Sequence, residues 1–293
     1  MDIYLVSFTT TPEDIGYTDL ELRRDRLDDS IRGLGFKKHF KWDRTKLKKT
    51  NFYKENIDIL DNKRGAGFWL WKPYIILEAL EKINEGDIVI YADNSTYFIA
   101  APEEEIKQCI ENNGFFLIHA YGHLCAQYTK RDTFHFMEMD TPFYHNSSIT
   151  LGSPQIYAKN PYTVAFVKEW LRFCLNKNIL TDLDNICGKK NLDNYIDHRH
   201  DMSILSLLVA KHKIKTFIPI HDILKKDNIE LLEKEQVLTL KEQYQRNDIT
   251  YIYAQVIICD RNSHGKNIRL KLKRLLNPRK AFYILYRKMY TNK

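Results

Sequence analysis

Three charged residues stand where this sequence can act on an anion. Asp93 follows the apolar run Ile88-Val-Ile-Tyr91, Lys72 precedes Pro73 at the head of an apolar helical segment, and Asp201 opens the run Asp201-Met-Ser-Ile-Leu-Ser-Leu-Leu208. A carboxylate just past a buried strand can hold Mg or Mn against a diphosphate, because hard oxygen ligands suit those ions and the metal neutralises a leaving group's charge. A lysine among the free N–H groups of a helix N-terminus makes an anion site, so Lys72 is the candidate contact for diphosphate oxygens. Asp201, with His198 and His200 just before it, can take a proton from an acceptor hydroxyl or stabilise an oxocarbenium-like centre. Each carboxylate also has a structural reading, Asp93 as a capping residue and Asp201 as an acid in the first turn of its helix.

The elements that position these residues read as α/β. Ile3 to Phe8 is an opening strand, Leu20 to Gly33 a charged helix, Phe36 to Trp42 a second strand, and Ile88 to Tyr91 a strand without alternation, as expected when both faces are covered. Gly65-Ala-Gly67 brings backbone close to a neighbour, since glycine removes side-chain bulk and tolerates positive φ. Behind it, Ile75, Ile76, Leu77, Ala79 and Leu80 give a packed helix with Pro73 in its first turn. Trp69 and Trp71 are core anchors or site walls. Pro102 to Asn113 reads as an acidic helix and Gly114 to His119 as a buried strand, with His119 and His123 flanking its end. The segment His145 to Gln155 reads as a small polar stretch ahead of a strand at Ile156 to Ala158, followed by an amphipathic helix through Trp170. Thr216 to Ile220 is strand-like.

The whole chain of 293 residues has 44% hydrophobic and 28% charged residues, ordinary for a soluble globular protein, and no run approaches the ~18 apolar residues of a membrane span. Met1 to Phe8 lacks a basic region and a cleavage site, so no secretory signal is read, and a cytoplasmic place is expected. The five cysteines are widely spaced without a C-x-x-C pair, which argues against structural zinc and for reduced thiols. Residues 265–293 hold ten Lys or Arg and no acid, which leaves 35 basic and 38 acidic residues in the body. Aromatic and leucine residues interleave with those cations, a pattern suited to an anionic lipid interface and a peripheral membrane association. The near-neutral body offers no extended positive face, so nucleic acid is not expected as a partner.

Gly67-Phe-Trp-Leu-Trp-Lys-Pro73, Tyr91-Ala-Asp-Asn-Ser95, Tyr128-Thr-Lys-Arg-Asp132 and Asp197-His-Arg-His-Asp-Met-Ser-Ile-Leu-Ser-Leu-Leu208 occur in an order that resembles a group of bacterial glycosyltransferases with the GT-A nucleotide-sugar fold, associated with capsule, O-antigen and other surface polysaccharides. The resemblance covers roughly residues 1 to 215. It implies a Rossmann-like mixed sheet flanked by helices as the catalytic domain over 1–264, with a basic helical appendage over 265–293. It further implies transfer of a hexose or N-acetylhexosamine from a nucleotide-diphosphate donor, a UDP-sugar first among them, to a glycan or lipid-linked glycan. In that frame Ser7, Phe8 and Thr9 meet the nucleoside, Trp71, Lys72, Tyr91, Asn94 and Ser95 line the donor, and Lys130 with Arg131 meets sugar phosphate or an acidic acceptor. Asn146, Ser153, Gln155, His198 and His200 then face sugar or acceptor. Mn or Mg is implied on Asp93 and His264, with Lys266 on the diphosphate and His221 as the rival ligand. The group's strand end is D-x-D, whereas here it is Asp93-Asn94-Ser95, without the second carboxylate. A nucleotidyltransferase is the first alternative, opposed by residues 7 to 16, which hold a single glycine, Gly16, and no Lys or Arg where a glycine-rich basic loop would stand. A non-catalytic sugar-binding or scaffold protein is the other.

Overall fold

The computed structural model describes residues 1–10, 20–98, 100–219, 251–253 and 257–259. The chain divides into two compact units, Met1–Cys259 and Asp260–Lys293. The second unit lies outside the described residues, and with it the basic tail, His264 and Lys266; His221 lies outside them too.

The first unit is built on a seven-stranded sheet. In chain order its strands are β1 (Ile3–Thr9), β2 (Phe36–Asp43), β3 (Ile88–Tyr91), β5 (Phe115–Leu124), β6 (Ser148–Ala158), β7 (Phe217–Pro219) and β8 (Tyr251–Tyr253), and β4 (Thr96–Phe98) pairs separately with β9 (Ile257–Cys259). Across the large sheet the order is β2-β1-β3-β6-β5-β7-β8. Only β6 runs against its neighbours, so the sheet is mixed and mostly parallel, as the buried strand patterns imply. The chain leaves β1 to one side for β2 and returns to the other side for β3. That reversal is a topological switch point, and ligands of open α/β sheets collect at the carboxyl ends of the strands that flank it.

Alternation along the strands sorts the core into two layers. Tyr4, Val6, Phe8, Val89 and Tyr91 face one side, where α2 (Trp71–Lys82), α4 (Pro161–Cys174) and α5 (Asp201–Lys211) pack. Leu5, Ile88, Ile90 and Ala92 face the other, with Leu27 of α1 (Leu20–Ser30) and Ile106 of α3 (Glu103–Glu111). Helix α2 forms because Ile75, Ile76, Ala79 and Leu80 recur on one face and are sealed, while Pro73 in its first turn removes an N–H that has no intrahelical partner anyway. Among the described residues no helix is long and apolar enough to cross a membrane.

One element departs from the sequence expectation. The small polar stretch before Ile156 is itself strand: β6 begins at Ser148 and runs through to Ala158. Its pairing with β5 jumps from His119↔Thr150 to Leu117↔Gln155, so Leu151 to Pro154 bulge out opposite Ile118. A bulge bends its strand and re-aims side chains. Here it carries Gly152 and Ser153 to the end of β3. His119 correspondingly lies inside β5 rather than beyond a strand end.

Candidate functional site

The site grows from the end of β3. After Tyr91 the chain leaves the sheet through Ala92, whose N–H still donates to Val6 O of β1 at 3.0 Å, so Asp93 emerges beside the end of β1. By strand alternation Asp93 falls on the layer of α2, α4 and α5. Three bonds fix it: Tyr91 Oη donates to Asp93 Oδ1 at 2.6 Å, the Asp93 N–H donates to Ser153 Oγ at 2.9 Å, and Thr96 N–H donates to Asp93 O at 2.8 Å. Asp93 stays half-buried while Asn94 and Ser95 are buried behind it. Arg26 of α1 donates to Ser95 O at 2.8 Å, and Asn94 Oδ1 is enclosed with no hydrogen-bond partner.

Two helix starts converge on the same place. Lys72, in the first turn of α2, and Asp201, the first residue of α5, form an ion pair with Lys72 Nζ 3.2 Å from Asp201 Oδ2, both side chains at most 4% exposed. The contact lacks hydrogen-bond alignment, which leaves Oδ2 without a bonded donor. Burial pushes the Asp201 carboxyl up to about 6; the Lys72 charge opposes that rise and the Asp93 charge adds to it. Lys72 Nζ lies 5.2 Å from the centre of the Tyr91 ring. It also rests against the β6 bulge, where a Cβ added to Gly152 would meet it at 2.8 Å. Asp93, Lys72, Asp201, Tyr91 and the bulge therefore make one cluster.

What holds the two helix starts is strained backbone. Gly65, Ala66, Gly67, Phe68 and Trp69 all have positive φ, a left-handed turn that L-residues avoid at about 1–2 kcal/mol each. The turn is clamped by Phe68 N–H to Arg64 O at 2.7 Å and Trp71 Nε1 to Gly65 O at 3.0 Å. Gly67 has no alternative there, since a Cβ would lie 2.6 Å from Leu60 Cα. His200, immediately before α5, is likewise at φ 52° and stacks on Trp69 with ring centres 5.5 Å apart. Strain of this kind persists only where the surroundings over-determine it, and it gathers at sites.

The remaining sequence candidates are distributed as follows. Phe8 stacks on Trp71 at 3.9 Å, and both are core. Ser7 faces the opposite layer, where its Oγ donates to His39 Nε2 at 2.7 Å and His39 Nδ1 donates to Asp28 Oδ1 at 2.7 Å, tying β1, β2 and α1 together. Burial holds His39 below the ordinary histidine range, with Asp28 opposing. Thr9 is half-buried at the end of β1. Gln155 is sealed, donating to Gly152 O at 3.1 Å and accepting from Tyr157 Oη at 2.7 Å, so it supports the bulge. His119 is buried beside Thr216 Oγ1 at 2.9 Å, and His123 packs edge-on to Tyr128.

A second group gathers around residues 179–198. Lys130 Nζ donates to Leu183 O at 2.7 Å, and Arg131 grips Asp140 through two nitrogens at 3.0 and 3.1 Å. His198 has both ring nitrogens engaged, Nε2 donating to Ile179 O and Nδ1 accepting from the Lys130 N–H. His200 Nδ1 donates to Leu180 O at 2.9 Å, leaving Nε2 3.7 Å from Asp182 Oδ1. Lys130 and His198 line a cleft of about 210 Å³, and exposed Asn146 lines another of about 310 Å³ with His145 and Asp193. Sequence reading missed Gly152 and the bulge; the clue was Gly152-Ser-Pro154 lying between Ile149-Thr-Leu151 and Ile156-Tyr157.

A divalent cation fits this strand end poorly. Asp93 is the one carboxylate it presents, already accepting from Tyr91; Asn94 and Ser95 are neutral, and the carboxylate within electrostatic reach, Asp201, is paired with an ammonium. Among the described residues no three His, Cys, Asp or Glu side chains gather as metal ligands.

No protein-family model matches the chain, and no curated protein matches it in sequence. Two solved structures are similar in fold. Mouse xyloside xylosyltransferase 1, in its apo form, shares 11% identity over 89% of this chain and 98% of its own, with a TM-score of 0.43. The apo bifunctional glycosyltransferase WbbM shares 12% identity over 71% of this chain and 37% of its own, with a TM-score of 0.38. Both likenesses are coarse and assign neither family nor activity.

Proposed function

We propose that the chain is a glycosyltransferase that moves a hexose or N-acetylhexosamine from a nucleotide-diphosphate donor, a UDP-sugar first among the candidates, to a glycan or lipid-linked glycan of surface polysaccharide. The observation that carries the reading is the Asp93–Lys72–Asp201 cluster at the switch point between β1 and β3. The donor lies across that end, its sugar hydroxyls donating to the half-exposed Asp93 carboxylate, a charge-assisted contact that also orients the anomeric carbon. Lys72 stabilises the charge that grows on the departing diphosphate, as a fixed cation in an enclosed site does best. Asp201 holds the Lys72 ammonium at rest. The acceptor approaches from the outer side of the β6 bulge, where Ser153 is half-buried and offers a hydroxyl. Composition supports a peripheral place on an anionic membrane through residues 265–293, and loss of liposome binding on deleting them tests it.

The test of the activity is turnover. UDP-, GDP-, CMP- and dTDP-sugars are offered with and without glycan acceptors, and nucleotide release is followed. One donor should turn over, and Asp93→Asn should lower the rate by about a hundredfold or more with an unchanged melting temperature. Release from none of them, or an Asp93→Asn rate near that of the parent, contradicts the assignment.

A further inference from the structure

The donor set at the end of β3 disagrees with a metal-held diphosphate, and this inference rests on the donor reading above. A divalent ion that a protein keeps resident needs several oxygen ligands, and Mg in particular leans on carboxylates. The strand end supplies only Asp93, with Oδ1 bonded to Tyr91 and neutral Asn94 and Ser95 following it. The carboxylate that would complete a pair, Asp201, is 3.2 Å from Lys72 Nζ. That ammonium lies against Gly152 of the bulge, next to the Ser153 hydroxyl that holds the Asp93 backbone. A side chain at position 152 would take up the space the ammonium occupies. Its ion-pair partner among the described residues is Asp201, and an ammonium carries three N–H donors, so one carboxylate does not exhaust them.

We infer that this site binds a nucleoside diphosphate without a resident divalent cation, the Lys72 ammonium supplying the positive charge at the bulge of β6. A flexible lysine stem lets the ammonium turn from Asp201 toward phosphate oxygens when they arrive. A divalent ion at Asp93 would add charge of the same sign beside the buried ammonium.

The experiment is calorimetric titration of the full chain with UDP, GDP, CDP and dTDP, each in EDTA and in Mn. One nucleotide should bind with the same Kd, within about threefold, in both conditions. The variant Lys72→Met with Asp201→Asn removes both buried charges together, and its thermal melt reports on folding. That variant should lose about tenfold or more of the affinity in EDTA. Binding that appears only with Mn overturns the inference and leaves the donor reading standing, as does undiminished binding by the folded double variant. If no diphosphate binds in either condition, the donor reading falls and the inference falls with it.

Discussion

Replacing Lys72 with methionine should make the stability of the chain more sensitive to pH, by an amount the Asp201 environment fixes. Asp201 begins as an ordinary carboxyl of 3.8 and is raised to about 6 in the fold, chiefly by burial. A raised folded value means that the native chain keeps a proton the unfolded chain has released, so this group's stability is full below pH 4 and is lost as pH climbs through 6. Between pH 5 and pH 7 the parent loses on the order of 1 kcal/mol from this group, because Asp201 gives up its proton part-way through that interval. In the Lys72→Met variant the largest influence opposing that rise is gone, so the native chain keeps its proton further into the interval and loses more over it, at most about twice as much. The penalty for Lys72→Met is therefore larger at pH 7 than at pH 5, by up to about 1 kcal/mol. Asp201→Asn alone leaves an ammonium without its partner and should cost about 3 kcal/mol, much of which the double variant recovers. Urea unfolding followed by tryptophan fluorescence measures each variant, since Trp71 and Trp170 are both buried beside the pair. A Lys72→Met penalty that is equal at the two pH values, or that still varies with pH in the Asp201→Asn background, refutes the reasoning.

Other consequences follow from the frame of the site. Gly67→Ala should lower stability by about 3 kcal/mol or more, since the new Cβ would press on the Leu60 backbone at positive φ; Gly33→Ala, at φ 74° with open space around it, should lose about 1 kcal/mol. Chemical denaturation of the two variants checks the ordering, and equal losses would deny the close approach. His119 is held down to about 4 by burial, so its contribution to stability is present above pH 6.5 and is lost as pH falls toward 4. His119→Gln should remove about 3 kcal/mol of that acid sensitivity, seen as a shallower fall in unfolding free energy between pH 6.5 and pH 4; an unchanged profile would place the acid-labile group elsewhere.

The sequence carries the parts of the fold that depend on local pattern. The uninterrupted apolar run at Ile88 to Tyr91 announces a strand covered on both sides, and all four residues are buried. Gly65 and Gly67 announce a close approach, and the turn proves to be left-handed across five residues because each glycine relieves a contact that any Cβ would violate. His145 to Gln155 reads from the sequence as a small polar stretch ahead of the strand because Gly152, Ser153 and Pro154 have low strand propensity. The strand starts early because Ser148 and Thr150 pair with Leu124 and His119 of β5 and Gln155 pairs with both β3 and β5, a tertiary pairing that overrides local preference across the bulge between them. The Lys72–Asp201 pair is out of reach for a different reason. Each residue reads as a helix start, but that the two starts meet is a property of how α2 and α5 pack on one layer of the sheet, which no local pattern encodes.

The most direct test of the central claim is a crystal structure of the chain with the nucleoside diphosphate that the titrations identify. The diphosphate should lie at the ends of β1 and β3, with a phosphate oxygen within hydrogen-bond distance of Lys72 Nζ and the Asp93 carboxylate turned to the sugar. A nucleotide seated elsewhere, in the cleft beside Lys130 and His198 for example, with the Lys72–Asp201 pair undisturbed, would contradict it.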